Sequence, residues 1–243
     1  MPVDIKFMKN TPNKKEAVKA ILFDMDGVLV DVTNSYRKAI QETVGVFTGK
    51  KAILKEIQDL KQQGGYNNDW DLTETIINSR GKTPSKKEII EKFQQFYLGC
   101  EGKKGLIENE KWLLSVELLE KLRSKYILGI VTGRPRQEAH YILEKYQVKS
   151  FFNVVIAMED YPAEKAKPDP LPIEIALNKL GNPQAIYVGD SVDDIIAAKR
   201  ACVKPVGCIP PNTDIHKLKN LLQMQGAEII LDNINDLNHI LLL

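Results

Sequence analysis

A surplus of charge of either sign is the first thing this chain lacks. Its 34 Lys and Arg stand against 32 Asp and Glu, a net charge of only +2 over 243 residues. So even a balance gives no electrostatic footing for nucleic acid or an anionic membrane, though a local basic pocket for a small anion is compatible with it. Cysteine is scarce as well. Cys100, Cys202 and Cys208 share no Cys-x-x-Cys spacing, which argues against a disulfide framework or a zinc site and favours a reducing compartment. Cys202 and Cys208 are expected as small buried hydrophobes. No apolar run approaches the roughly 18 residues of a membrane span, and no signal-peptide core is recognisable. The expectation is a soluble, cytoplasmic protein with no nucleic-acid and no membrane partner. Internal repeats and low-complexity tracts are missing too.

What is present is enough apolar material, 43% of residues, for a sizeable core. The residues through about Glu16 are polar, carry Pro2 and Pro12, and read as a loose or edge segment. Lys19 to Phe23 then reads as a short buried strand. From Thr33 the pattern turns helical, with Tyr36, Ile40, Val44 and Phe47 on a near-3.6 period. Further helices are predicted over residues 51–62, 71–79 and 85–97, the last with Ser85 as its N-cap. Nothing between 33 and 105 reads as a strand. Beyond Gly105 the pattern alternates helix and strand, with strands expected at 127–131, 153–157, 185–188 and 203–209. Such alternation predicts a parallel sheet covered on both faces, an α/β core with a helical block inserted after its first strand.

Open parallel sheets bind ligands at the carboxyl ends of their strands, so the residues following each strand are the ones to inspect. The first strand leads into Asp24-Met25-Asp26-Gly27-Val28. In extended chain, residues i and i+2 face one side, which crowds two carboxylates that cannot both stay ionised cheaply without a cation. The second leads into Thr132-Gly133-Arg134, and another into Gly189-Asp190-Ser191-Val192-Asp193-Asp194. Lys167-Pro168-Asp169-Pro170 precedes a helix. Acids, a hydroxyl and a lysine converging on one sheet edge suit phosphoryl transfer. Asp24, Asp190 and the backbone at Asp26 offer oxygen ligands to Mg²⁺. Asp24 can attack phosphorus, and Asp26 can protonate the leaving alkoxide and then activate water. Thr132 and the Gly133 amide can bind phosphoryl oxygens while Lys167 adds positive charge.

Those four motifs, in this order, resemble the haloacid dehalogenase-like hydrolase superfamily, in its subgroup with a helical cap after the first strand. The resemblance implies a Rossmann-like core at 1–31 and 106–243 and a cap at 32–105. It implies catalytic roles for Asp24, Asp26, Thr132 and Lys167, and a Mg²⁺ site at Asp24, Asp26, Asp190 and Asp194, with Asp193 as the rival to Asp194. It also implies that the loop at 64–70 faces the site, which makes Asn67 and Asn68 substrate-binding candidates beside Gly133. Its rival reading is an ordinary interhelical loop anchored by Trp70. Arg134 has two readings, a clamp for a second anionic group of the substrate or a solvated helix start. His140, His216 and His239 fall on predicted helices away from these turns. The expected activity is hydrolysis of a small phosphorylated metabolite such as phosphoglycolate, a sugar phosphate or histidinol phosphate, by a monomer or homodimer. A sugar phosphomutase is the alternative. A dehalogenase, which needs neither the Asp26 acid nor a metal cluster, is opposed by the Asp190–Asp194 pair, and a non-catalytic binding module fits less well because no aspartate of the set is missing.

Overall fold

The computed structural model describes residues 18–66 and 68–241. The expected loose segment through Glu16 lies outside them. Strand β1 (Ala20–Phe23) is buried along its whole length, and a tight turn leads to the two-residue strand β2 (Val30–Asp31). Four helices follow: α1 (Tyr36–Thr48), α2 (Leu54–Gln63), α3 (Asp69–Ser79) and α4 (Lys86–Tyr97). Ser85 caps α4 as expected, in a reciprocal capping box with Glu88. The first turn of α2 starts at Leu54, later than its sequence pattern suggested, after the extended Ile53.

A hairpin of β3 (Gly99–Cys100) and β4 (Lys103–Lys104) comes next. It was not expected, because two-residue strands are too short to show an alternating period. Strand β5 (Lys111–Trp112) pairs antiparallel with β2, Val30 against Trp112 and Asp31 against Lys111. The helical insertion therefore leaves and rejoins the rest of the chain through one narrow ribbon.

The remainder alternates: α5 (Val116–Lys125), β6 (Ile127–Val131), α6 (Arg136–Lys145), β7 (Val154–Ile156), α7 (Leu171–Lys179), β8 (Ala185–Gly189), α8 (Val192–Arg200), β9 (Lys204–Cys208), α9 (Ile215–Gln225), β10 (Ile229–Leu231) and α10 (Leu237–Leu241). Six strands form one sheet in the order β10-β9-β8-β1-β6-β7. Every pair in it is parallel. Successive residues of β1 serve opposite faces: Ile21 and Phe23 join one apolar cluster and Leu22 another, as the strand period requires. β1 lies centrally, between β6 and β8. Its carboxyl end therefore has the ends of two other strands beside it. The expected α/β architecture is present, and no described helix is long and apolar enough to cross a membrane.

Cys208 is buried in β9 as expected, but Cys202 is exposed. It occupies the turn after α8 with φ 57°, a conformation set by the chain reversal and not by packing of the thiol.

Candidate active site

The turn after β1 is built by its backbone. Asp24 donates its N–H to the Val188 carbonyl at 2.8 Å, and the Leu29 and Val30 amides both return to the Met25 carbonyl at 2.9 Å. Gly27 stands at φ 79°. A Cβ there would meet Asp190 Oδ2 at 2.2 Å. The glycine thus supplies the left-handed turn and also lets the loop after β8 approach it.

Lys167 is the hub of the core side of the site. Its Nζ donates to Asp24 Oδ1 at 2.8 Å, to Asp194 Oδ1 at 2.6 Å and to the Tyr187 hydroxyl at 3.0 Å. Lys167, Asp194 and Asp24 are all buried. Asp194 is held from its other side by the Ser191 amide and hydroxyl, at 3.0 and 2.6 Å, in the capping box that starts α8. Lys165, the neighbouring lysine, is exposed and pairs with Asp169. Thr132 is buried, and its hydroxyl accepts the Arg134 amide at 3.1 Å.

Carboxylate oxygens of Asp24, Asp190 and Asp194 lie within 4.8 Å of one another. Three acids against one ammonium leave two negative charges in a desolvated cluster. The physical response is visible in their proton affinities. Burial pushes the Asp24 carboxyl up to about 7, despite Lys167, with Asp194 and Asp26 adding repulsion. Burial also raises Asp190 well above the carboxylate range, with Asp194 and Asp24 adding to it. Burial acts upward on Asp194 too, but Lys167 and Ser191 outweigh it and hold that acid below its ordinary value. Oxygen donors with an uncompensated charge of two are the chemistry of a site for a hard divalent cation. Asp193 is turned elsewhere: both its oxygens accept the Gly65 amide, at 3.1 and 3.0 Å, tying α8 to the loop after α2.

The Asp26 side chain is not part of this cluster. Its carboxylate pairs with Arg134 Nε, in keeping with the sequence reading that the oxygen Asp26 offers a cation is its backbone one. Arg134 departs from one of its two sequence readings, the solvated helix start, while it lines the cavity with an Nη2 that has no protein partner, as a clamp for a second anionic group would. It is fully buried, its Nη1 also donates to Glu110 Oε2 at 2.8 Å, and it stacks over the Tyr36 ring at 4.9 Å. Asn68 caps α3, accepting the Trp70 amide at 2.9 Å. Asn67 lies outside the described residues.

One cavity joins these parts. Asp24, Asp26, Asp190, Gly133 and Arg134 line it on the sheet side, and Tyr36, Arg37, Gln58, Lys61, Gln62, Tyr66, Asn68 and Trp70 close it from the insertion. Gln58 Nε2, Gln62 Nε2 and Trp70 Nε1 have no protein partner. None of His140, His216 and His239 lines it. Sequence reasoning missed Glu110, Tyr97 and Glu138, which surround Arg134 and Tyr36. No motif contains them, and no spacing in the chain announced them.

Comparison with known proteins agrees with this arrangement. A family model described as haloacid dehalogenase-like hydrolase matches residues 21–208. A Phytophthora nicotianae protein named imidazoleglycerol-phosphate dehydratase is 36% identical over 87% of this chain, which spans only 47% of that relative's length. Phosphoglycolate phosphatase of Escherichia coli strain K12 is 26% identical, with 93% of each chain aligned. Among solved structures, a predicted phosphoglycolate phosphatase from Haemophilus somnus superposes with a TM-score of 0.70 at 25% identity, covering 92% of this chain and 97% of its own.

Proposed function

The chain belongs to the haloacid dehalogenase-like hydrolase family, and from that premise we propose that it is a Mg²⁺-dependent phosphomonoester hydrolase working through an aspartyl-phosphate. The observation that carries the reading is Lys167, buried and bonded to Asp24 at 2.8 Å and Asp194 at 2.6 Å, beneath a cavity that Asp24 and Asp190 enter from strand ends.

Asp24 is the nucleophile. Its carboxylate oxygen forms a bond to phosphorus as the ester P–O bond breaks, and the departing alkoxide takes the Asp26 proton. Asp26 then removes a proton from water, whose oxygen attacks phosphorus, and the bond to Asp24 breaks to release phosphate. Lys167 favours the ionised form of Asp24 and adds positive charge beside it. The Thr132 hydroxyl and the Gly133 amide would donate to phosphoryl oxygens. Asp24, Asp190 and Asp194, with the Asp26 backbone carbonyl, would hold the cation. It would supply positive charge at the phosphoryl oxygens. The insertion, as a cap, excludes bulk water from the cavity.

The cap wall favours a small polar leaving group. Gln58, Gln62 and Trp70 bring unpartnered donors to it, and Arg37 and Lys61 bring positive charge. Phosphoglycolate and sugar phosphates fit that description, and the E. coli relative is named for the first; histidinol phosphate, whose leaving group carries an ammonium, fits it less well. The test is phosphate release with and without Mg²⁺ across a panel of such phosphomonoesters, in wild type and Asp24→Asn. Wild-type turnover that needs Mg²⁺ and vanishes in the variant supports the reading. Equal rates in the two proteins would remove it, and conversion of a sugar phosphate to its isomer without phosphate release would replace it by a mutase.

A further inference from the structure

We propose that Arg134, Glu110 and Tyr97 are positioning residues that fix the Asp26 carboxylate at the seam between the cap and the sheet. They would thereby govern proton delivery to the leaving oxygen. This rests on the phosphomonoester hydrolase reading and on Asp26 as its acid and base.

Arg134 is held by its backbone and by two of its three guanidinium nitrogens, while Nη2 has no protein partner. Its amide donates to Thr132 Oγ1 at 3.1 Å, and its carbonyl accepts the Met158 amide at 3.0 Å. Its guanidinium gives Nε to Asp26 and Nη1 to Glu110 at 2.8 Å and to the Tyr97 hydroxyl at 3.1 Å. The Tyr36 ring covers one face and itself stacks on Tyr97 with centroids 4.2 Å apart. A planar fork held at two corners and one face has a defined orientation, which a lysine in its place would lack.

Glu110 is equally fixed. It is fully buried, and its Oε1 accepts Ser35 Oγ at 2.7 Å and Tyr97 Oη at 2.9 Å. These partners come from the cap and its return: Ser35 at the start of α1, Tyr97 at the end of α4, Glu110 just before β5. Asp26 and Arg134 come from the sheet side. The carboxylate that must meet the leaving oxygen is therefore anchored through a chain of bonds that the cap completes.

Stability alone does not account for the group. A buried ion pair gains little over apolar residues of the same volume, because both charges lose their water. Here a second carboxylate, Glu110, shares the cation with Asp26. That arrangement is poor for neutralising Asp26 and good for orienting the group that holds it.

The test exploits leaving-group dependence. An aryl phosphate such as p-nitrophenyl phosphate leaves without a proton, whereas an alkyl phosphate such as phosphoglycolate needs one. In single-turnover formation of the aspartyl-phosphate, the step that uses Asp26 as acid only, Glu110→Gln and Arg134→Lys are expected to lower the rate on the alkyl ester by about tenfold or more, and on the aryl ester by less than about threefold. Tyr97→Phe should show the same pattern more weakly, and it carries the test if a charged-site variant does not fold by circular dichroism. A role in folding alone would lower both rates equally and would overturn the proposal. So would a higher KM at unchanged leaving-group dependence, which would assign Arg134 to substrate binding. Asp26→Asn is the control: if it shows no alkyl-selective loss, the underlying acid–base reading fails. If it does and the other variants do not, only the positioning role fails.

Discussion

Two buried cation–carboxylate groups sit about the same cavity, and they are built alike: Lys167 between Asp24 and Asp194, Arg134 between Asp26 and Glu110. The first is assembled from a strand end, the first turn of α8 and the loop before α7, all outside the helical insertion. The second draws half its bonds from the cap. The first gathers three acids on one ammonium, since Asp190 joins it, and the crowding shows in the raised proton affinities of Asp24 and Asp190, the protons that the proposed cation would replace. The second is closed by protein donors, Ser35 and Tyr97 among them. On the proposed mechanism one group binds and reacts and the other orients, although their compositions are nearly the same.

The sharpest break in this comparison is Asp24→Asn. Phosphate release should fall by at least about a thousandfold, the scale seen when a covalent nucleophile is removed. A residual rate within tenfold of wild type would transfer the nucleophilic role elsewhere.

Lys167→Met comes next. It leaves Asp24 and Asp194 buried without their ammonium, and breaking a buried pair in this way costs about 3–5 kcal/mol. Urea unfolding would measure it. A loss below about 1 kcal/mol would mean that water already screens this cluster.

A smaller effect separates the two groups by their need for metal. Mg²⁺ should raise the unfolding free energy by about 2.7 kcal/mol at one hundred times its dissociation constant, and EDTA should reverse this. Because the cation competes with protons on Asp24, whose pKa is raised to about 7, and on Asp190, the gain should be larger at pH 8 than at pH 6. Asp190→Asn should lose it and Glu110→Gln should keep it. An equal gain in both variants would show that the Asp190 carboxylate is not a ligand.

The mildest test concerns Glu138, which accepts the Tyr36 hydroxyl and Gln94 Nε2 beside the orienting group. Burial raises its pKa from 4.5 to about 6, against the pull of those two bonds. Below about pH 4.5 the folded and unfolded chains both hold the proton. Between there and pH 6 only the folded chain keeps it, so this group's contribution to stability falls as pH rises and is fully lost above about 6. The fall amounts to about 2 kcal/mol. Glu138→Gln should flatten the dependence of unfolding free energy on pH across that window, and an unchanged slope would assign the titration to another acid.

The two groups also differ in how far the sequence disclosed them. Asp24, Thr132, Asp190 and Asp194 stand directly after apolar strand runs, where a parallel sheet collects its ligands, so a linear reading reaches them. Lys167 is harder, yet its prolines mark it. Glu110 and Tyr97 follow no such rule: one lies in a polar connection, the other reads as one more apolar position on a helix. Arg134 was visible as a residue and opaque as a role, since a charged side chain after a strand is ordinarily solvated. The β3–β4 hairpin escaped for a related reason, being held by backbone bonds without side-chain period.

Local pattern by itself determined the alternation of strands and helices, the helical block after the first strand and the acids at the strand ends, because period and turn chemistry act over a few residues. Tertiary structure decided which buried cation holds each acid. Lys167 reaches Asp24 across 143 positions, and Arg134 reaches Asp26 across 108. Asp24 and Asp26 are two residues apart in the chain, and they part company because a different buried cation claims each of them.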